Sequence, residues 1–182
     1  TLFPYTTLFR SHAALQPWLA RAVADGGYYD LFLIDAQGTV VYTVFKETDF
    51  ASRLDSPALA GSGLAAMFRR ALAAGAGSDA VAFADYAPYA PSNGDLAAFI
   101  GVPVAGPDGS VLGVLALQLP IEKFNSVLTA LQGAGVRVYA EYGATAATVA
   151  DGEFEAARST EGAAVRRVRL PVDIDGAHWR IV

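Results

Sequence analysis

The sequence contains no cysteine, which excludes disulfide staples, thiolate nucleophiles and cysteine-based zinc sites. Histidine is almost as scarce. His12 and His178 stand at opposite ends of the chain and belong to no Cys/His/Asp cluster that could hold a metal. No Gly-x-Ser-x-Gly elbow, phosphate-binding glycine loop or dinucleotide fingerprint occurs. An enzyme is therefore not expected, and neither is a cofactor or a bound metal. Charge is also sparse: 17% of residues are charged, and the balance is acidic, with a formal net charge of −5. Nucleic acid and anionic lipid recruit basic surfaces, so neither is expected as a main partner. Long apolar runs are missing as well. The longest, such as Val111–Leu117, fall far short of the ~20 residues that a membrane-spanning helix requires.

What is present is a hydrophobic fraction of 53% in 182 residues, enough for one good core or for one domain plus part of another. Residues 1–11, TLFPYTTLFRS, match one reading frame of a common short-read sequencing adapter codon for codon. They are expected to be an adapter artefact and are set aside from the fold argument, as an expression tag would be. The chain also stops inside an apparent strand at Trp179-Arg180-Ile181-Val182. Both features lead to the expectation that this is a fragment whose natural termini lie elsewhere.

Periodicity supplies the elements. His12–Asp25 reads as a helix with Leu15, Trp18, Leu19, Ala22 and Val23 on one face, Pro17 near its first turn, and Gly26-Gly27 ending it. Leu31–Ile34 is an apolar strand, Asp35-Ala36-Gln37-Gly38 a turn, and Val40–Lys46 the β-branched and aromatic returning strand. Within that strand, alternation predicts that Val40, Tyr42, Val44 and Lys46 share one face. Ser62 caps a second helix that runs to Ala74, with Leu64, Met67, Phe68, Ala71 and Leu72 as its buried stripe. Val81–Tyr86 and Ala97–Val104 are strands joined by the loop APYAPSNGD (87–95). Gly106-Pro107-Asp108-Gly109 then turns the chain into Val111–Leu119. A helix is expected after Pro120, with Ile121, Phe124, Leu128 and Leu131 on its apolar face. Beyond Gly135 come a strand at 136–142, an aperiodic stretch, and two strands at 168–174 and 177–182 around Asp175-Gly176.

At this point the order of elements can be compared with a known one. The segments GYYDLFLIDAQGTVVYTVFKETDF, VAFADYAPYAPSNGDLAAFIGVPV and GSVLGVLALQLPIEKFNSVL together resemble the Cache-type sensor domain, a PAS-like fold found in the extracytoplasmic region of bacterial transmembrane receptors. Such receptors include methyl-accepting chemotaxis proteins and membrane-bound nucleotide cyclases. The resemblance covers about residues 27–130. It implies an α+β fold: a five-stranded antiparallel sheet with a long N-terminal helix and an inserted helix, followed here by a small C-terminal β-rich segment. Residues 12–132 would form the sensor domain, and 133–182 a partial second module or a membrane-proximal extension. The resemblance further implies a periplasmic domain of an inner-membrane protein, with flanking transmembrane helices and a cytoplasmic signalling domain in the full-length protein. A homodimer is left open. The spaced Tyr, Arg, Trp, Tyr and Asp set shared by amino-acid-binding Cache domains cannot be traced here, so amino-acid binding lacks support from the sequence.

Candidate ligand contacts follow from the strand and loop that would face a pocket. Tyr42 and Lys46 come from the second strand. Asp85, Tyr86, Tyr89, Ser92 and Asn93 come from the strand and loop at 85–95. Together they offer apolar walls with a few oriented donors and acceptors, as small-molecule pockets require. Lys46 could pair with a carboxylate and Asp85 with an amine, while tyrosines beside a sheet are as readily core residues with a wet hydroxyl. Arg69-Arg70 and the Arg166, Arg167, Arg169 cluster read as solvated faces. Asp35 reads as the turn's hydrogen-bond acceptor and not as one half of a carboxylate pair with Asp30. The expected function is a ligand-sensing module that binds a small molecule and passes on a conformational signal. The alternative is a cytosolic PAS-like sensory or interaction domain of a soluble signalling protein.

Overall fold

A computed structural model describes residues 4–122, Ser126, and the strands at 140–141, 170–174 and 177–181; side chains are described for 12–122 and Ser126. Helix α1 runs over Pro4–Gly26. It ends in a Schellman-type cap, in which the Gly27 N–H donates to Ala24 and the Tyr28 N–H to Val23. Gly27 takes the positive φ of 63° that this cap demands. The helix starts earlier than its periodicity predicted, so Pro17 lies in its interior. Ala13 and Pro17 are both exposed, which places the break in the hydrogen-bond ladder on the wet side of the helix. The buried stripe is also narrower than expected. Leu19 and Val23 are buried, whereas Leu15 is 41% and Trp18 68% exposed.

Strands β1 (Asp30–Asp35) and β2 (Val40–Thr43) form the first hairpin. Asp35 holds its turn, its Oδ1 accepting from the N–H groups of Gln37 and Thr39 at 3.0 and 2.8 Å. After a long loop comes α2 (Gly63–Ala74), capped by the Ser62 side chain, which accepts from the Ala65 N–H. Strands β3 (Ala82–Pro88), β4 (Leu96–Ala105) and β5 (Val111–Pro120) complete a five-stranded sheet ordered β2-β1-β5-β4-β3, every neighbour antiparallel. A separate three-stranded sheet joins β6 (Ala140–Glu141), β7 (Leu170–Ile174) and β8 (Ala177–Ile181) in the order β6-β8-β7. The helix expected after Pro120 lies largely outside the described residues, as does the stretch 142–169.

The five-stranded sheet carries one helix on each face. On one face Phe32, Ile34, Val40, Ala84, Phe99, Val114 and Ala116 pack with Leu64, Met67, Phe68 and Ala71 of α2. On the other, Leu31 and Tyr42 pack with Leu19 and Val23 of α1. A β-bulge sets which residue goes where. Between Leu33 and Ile34 the register slips, so that Leu33 pairs with Tyr42 but Ile34 with Val40. Val41 is the extra residue and is 38% exposed. The strict alternation expected for 40–46 is therefore broken: Val40 belongs to the α2 face, while Tyr42 and Val44 belong to the α1 face. Lys46 lies beyond the strand altogether.

The β1–β5 contact is too close for side chains at one point. A Cβ on Gly113 would fall on the carbonyl oxygen of Ile34 and within 3.1 Å of the Asp35 Cα. Gly113→Ala must therefore push two central strands apart. We expect a loss of about 2–3 kcal/mol, seen as a lower urea midpoint. Gly61→Ala, at a position with nothing within 4 Å, should leave the midpoint close to the wild-type value.

Candidate functional site

Strand alternation carries two polar side chains onto the α2 face, at the end of the sheet where α1 enters. Asp30 opens β1 and pairs in register with Gln118 of β5, which in turn pairs with Phe99 of β4. Asp30 is fully buried and Gln118 is 3% exposed. Two loops close over them. The 44–53 loop runs back along β2: Ala51 donates to Val40, Val40 donates to Ser52, and Thr39 bridges to Arg53. This return tucks Asp49, also fully buried, beneath the sheet. The β3–β4 loop is a tight excursion in which Ser92 and Gly94 donate to Tyr89 O and Tyr89 N donates to Asp95 O. Left-handed backbone at Asn93 (φ 56°) and Gly94 (φ 85°) turns Tyr89 and Ser92 inward.

The side chains so assembled form three neighbouring sets of hydrogen bonds, one through Glu47, one at Asp49 and one at Asp30. Tyr29 Oη donates to Glu47 Oε1 at 2.8 Å, and Ser92 Oγ donates to Glu47 Oε2 at 2.9 Å. Gln118 Nε2 donates to Ser92 Oγ at 3.2 Å. Tyr89 Oη donates to Asp49 Oδ2 at 2.7 Å, its ring meeting Phe99 edge-on with centroids 4.9 Å apart. Asp30 Oδ1 accepts from the N–H groups of Leu31, Val44 and Phe45, at 2.7, 2.9 and 3.3 Å. That carboxylate is thus the anchor around which the 44–47 loop is wound. Three acceptors in the cluster have no protein partner: Asp30 Oδ2, Asp49 Oδ1 and Gln118 Oε1.

Burial dominates the electrostatics. Asp30 is pushed up to about 6 by loss of solvation, which hydrogen bonds from backbone N–H groups and the Thr43 side chain only partly oppose. Asp49 is raised for the same reason, against the lowering effect of the Tyr89 hydroxyl. Tyr89 is raised by burial and by the charge of Asp49, and Tyr29 by its hydrogen bond to Glu47. Among the described residues no group of three or more His, Cys, Asp and Glu side chains is placed to hold a metal ion.

Of the residues singled out from the sequence, Tyr89 and Ser92 enter this cluster and the others do not. Tyr42 is buried on the α1 face and donates to Gln16 Oε1 at 2.6 Å. Lys46 Nζ donates to the same Gln16 oxygen at 2.7 Å and sits 5.1 Å from the centre of the Tyr42 ring. These two therefore fasten α1 to β2. Tyr86 donates from its hydroxyl to Pro120 O at 3.3 Å, and Asp85 Oδ1 accepts from the Tyr86 N–H. Asn93 is exposed at the loop tip. Asp30, Glu47, Asp49 and Gln118 were missed. On the α1 side, a groove of about 470 Å³ is lined by Gln16, Val23, Tyr28, Tyr29, Val44 and Phe45. Tyr29 touches both regions, because its ring lines the groove while its hydroxyl holds Glu47.

Sheet order, the two helices and the position of this cluster invite comparison with known proteins. No protein-family model matches the sequence, and no curated protein matches it significantly. Solved structures do match. The fold is that of extracytoplasmic Cache sensor domains. The ligand-binding domain of the Pseudomonas aeruginosa amino acid chemoreceptor PctC, in complex with GABA, superposes with a TM-score of 0.55 at 16% identity, covering 96% of this chain and 90% of that one. The ligand-binding domain of the Pseudomonas fluorescens chemoreceptor CtaA, in complex with L-serine, gives 0.54 at 14% identity over 93% of this chain and 77% of that one. The sensor domain of the Vibrio cholerae histidine kinase DctB gives 0.53 at 14% identity over 76% of this chain. The chain spans about half the length of that DctB domain, 48%.

Charging a buried carboxyl has a signed effect on stability. In the folded chain Asp30 holds its proton up to about pH 6, against an ordinary value of 3.8. Between these values the folded state binds more protons than the unfolded one, so this group makes stability fall as pH rises. The full penalty, about 3 kcal/mol, is present above pH 6 and absent below pH 4. Asp30→Asn should remove it. The difference in Tm between wild type and variant is expected to move against the wild type by several degrees from pH 4 to pH 7. A constant difference would show that Asp30 is solvated.

Proposed function

We propose that the chain is a ligand-sensing module of a bacterial transmembrane signalling receptor, placed on the outer side of the cytoplasmic membrane, and that it binds a small molecule at the Asp30–Asp49–Gln118 cluster. One observation carries the reading: a sensor-type sheet buries a set of polar side chains with unsatisfied acceptors where α1 enters and β5 leaves it. Buried polar atoms left without partners cost about 1–3 kcal/mol each, and such a cost is tolerated where a guest recovers it. The residues assigned to ligand contact are Tyr89 and Ser92 together with Asp30, Asp49 and Gln118. Tyr42 and Lys46 are assigned to the junction with α1. Residues 12–132 are taken as the sensing unit and 133–182 as a second module or membrane-proximal extension. No helix among the described residues is long and apolar enough to cross a membrane, so the membrane helices of this proposal would lie outside them.

The signal follows from position. Asp30 comes four residues after the last residue of α1, and Gln118 two before the last of β5. A guest bridging these two strands and the 47–49 loop favours whichever relative setting of α1 and the sheet makes the best contacts. Only such a difference in affinity between two settings can drive a switch.

The test is a thermal-shift screen of the folded chain against small acids, amines, sugars and other metabolites. At a hundredfold excess over Kd a guest adds ~2.7 kcal/mol, which in a chain of this size is a rise of roughly 5–10 °C. Ser92→Ala should reduce that rise. A well-folded chain stabilised by none of these compounds would remove the support for direct sensing.

A further inference from the structure

We infer that the buried cluster selects a small organic ammonium ion that carries no carboxylate, with Asp30, Asp49 and Gln118 as its acceptors. This rests on the sensing reading above and names the chemical class of the guest. The first argument is the inventory of donors and acceptors. The hydroxyl protons of Tyr29, Tyr89 and Ser92 are all committed, to Glu47, Asp49 and Glu47 again. Since Ser92 gives its only proton to Glu47, its oxygen must accept from the amide nitrogen of Gln118. That fixes the orientation of the amide and leaves Gln118 Oε1 bare. Asp30 Oδ2 and Asp49 Oδ1 also lack a well-formed hydrogen bond, in fully buried side chains whose carboxyl groups are otherwise steadied by the Thr43 hydroxyl and by the backbone N–H groups of Asp49 and Phe50. The open valences of the cluster are all acceptors, so the complementary guest is a donor.

Charge makes the guest a cation. A neutral donor such as water could satisfy the geometry, but it would leave two buried carboxyl groups and Glu47 without a positive partner among the described side chains. All five Lys and Arg side chains of 12–122 are exposed and engaged elsewhere, so none enters the cluster. Arg21 pairs with Asp25, Arg53 with Asp55, Arg69 and Arg70 reach the carbonyls of Ala60 and Phe83, and Lys46 is held at Gln16 on the opposite face. The same absence rules against a guest with its own carboxylate, since none of these cations is placed to receive it. A hard divalent metal ion is a poor fit, because it asks for six or more converging oxygens and no metal-binding group of three is formed among the described residues. An alkylammonium ion needs only two or three acceptors and some apolar or aromatic wall, and Tyr89 and Phe99 supply the latter.

The experiment is calorimetry on the full 182-residue chain at neutral pH. Its probes are ethanolamine, putrescine and choline, set against GABA, L-serine, succinate, glucose, Ca²⁺ and Mg²⁺. The expected result is that at least one of the three amines binds and that GABA and L-serine bind at least tenfold more weakly. Asp49→Asn and Gln118→Met should each weaken that amine at least tenfold while the circular dichroism spectrum is kept. If one variant fails to fold, the other and the wild-type comparison still decide. Tighter binding of a carboxylate, sugar or divalent ion overturns the ammonium assignment and leaves the sensing reading intact. An amine that binds equally well to both folded variants overturns the assignment of the site. Binding of nothing in the panel overturns the ammonium assignment, and the wider metabolite screen then judges sensing separately.

Discussion

The antiparallel pairing of β1 with β5, and within it the apposition of Asp30 and Gln118, is the contact on which the rest of this structure depends. β1 lies between β2 and β5 and carries core residues on both faces, Phe32 and Ile34 toward α2 and Leu31 toward α1. Gly113 lets the two strands approach more closely than any residue with a side chain would. Asp30 then does two things with one carboxyl group. Its Oδ1 accepts from the N–H groups of Val44 and Phe45, tying the turn after β2 to the start of β1, and from its neighbour Leu31, while its Oδ2 is buried without a hydrogen-bond partner. The same atoms that fold the loop therefore build the site.

This arrangement is costly, and the cost is local. A core of Phe32, Phe99, Leu64, Met67 and their neighbours surrounds the cluster, so the surplus from apolar burial must carry two buried carboxyl groups and an amide without full hydrogen bonding. Left-handed backbone at Lys46 and Ala51, neither of them glycine, adds to the cost at the loop that delivers Glu47 and Asp49. Departures from good packing that concentrate in one place, while the rest of the domain obeys the rules, are what a binding site looks like energetically.

Much of the fold was legible because it is written in short-range chemistry. Asp35 with Gly38, Ser62 before an apolar stripe, and Gly106 through Gly109 each specify a turn or cap by residue type, and the strands between them alternate or run apolar. The position of Pro17 and the breadth of the α1 stripe were not legible, because helix periodicity alone does not say which apolar residues meet a partner; Leu19 and Val23 do and Trp18 does not. The bulge between Leu33 and Ile34 was hidden for a related reason. One extra residue inverts the facing of everything after it, and nothing in VVYT marks Val41 as that residue. The candidate cluster was half visible. The distinctive APYAPSNGD loop pointed to Tyr89 and Ser92, but attention to aromatic and loop residues passed over the polar letters inside apolar strands. Asp30 before LFLI and Gln118 within VLALQLP occupy positions where alternation calls for a core residue, and that conflict was the available signal.

Placement at the junction also explains how occupancy could be felt at a distance without any long chain of intermediates. Among the described side chains, α1 meets the sheet and its loops through Leu19 and Val23 in the core, through His12 against the rings of Tyr42 and Phe50, and through Gln16, which accepts from Tyr42 and Lys46 and donates to Val44 O. Tyr29 links that attachment to the cluster, because one side of its ring lines the α1 groove and stacks on Phe45 while its hydroxyl holds Glu47. A guest that draws Glu47 inward must carry Tyr29 with it or break the part-buried hydrogen bond between them. Tyr29 follows the α1 cap directly, so its displacement is passed to that helix. The element required for a two-state response is thus the packing of α1 on the sheet, and the cluster is positioned to bias it because they share Tyr29 and not because they are close in sequence.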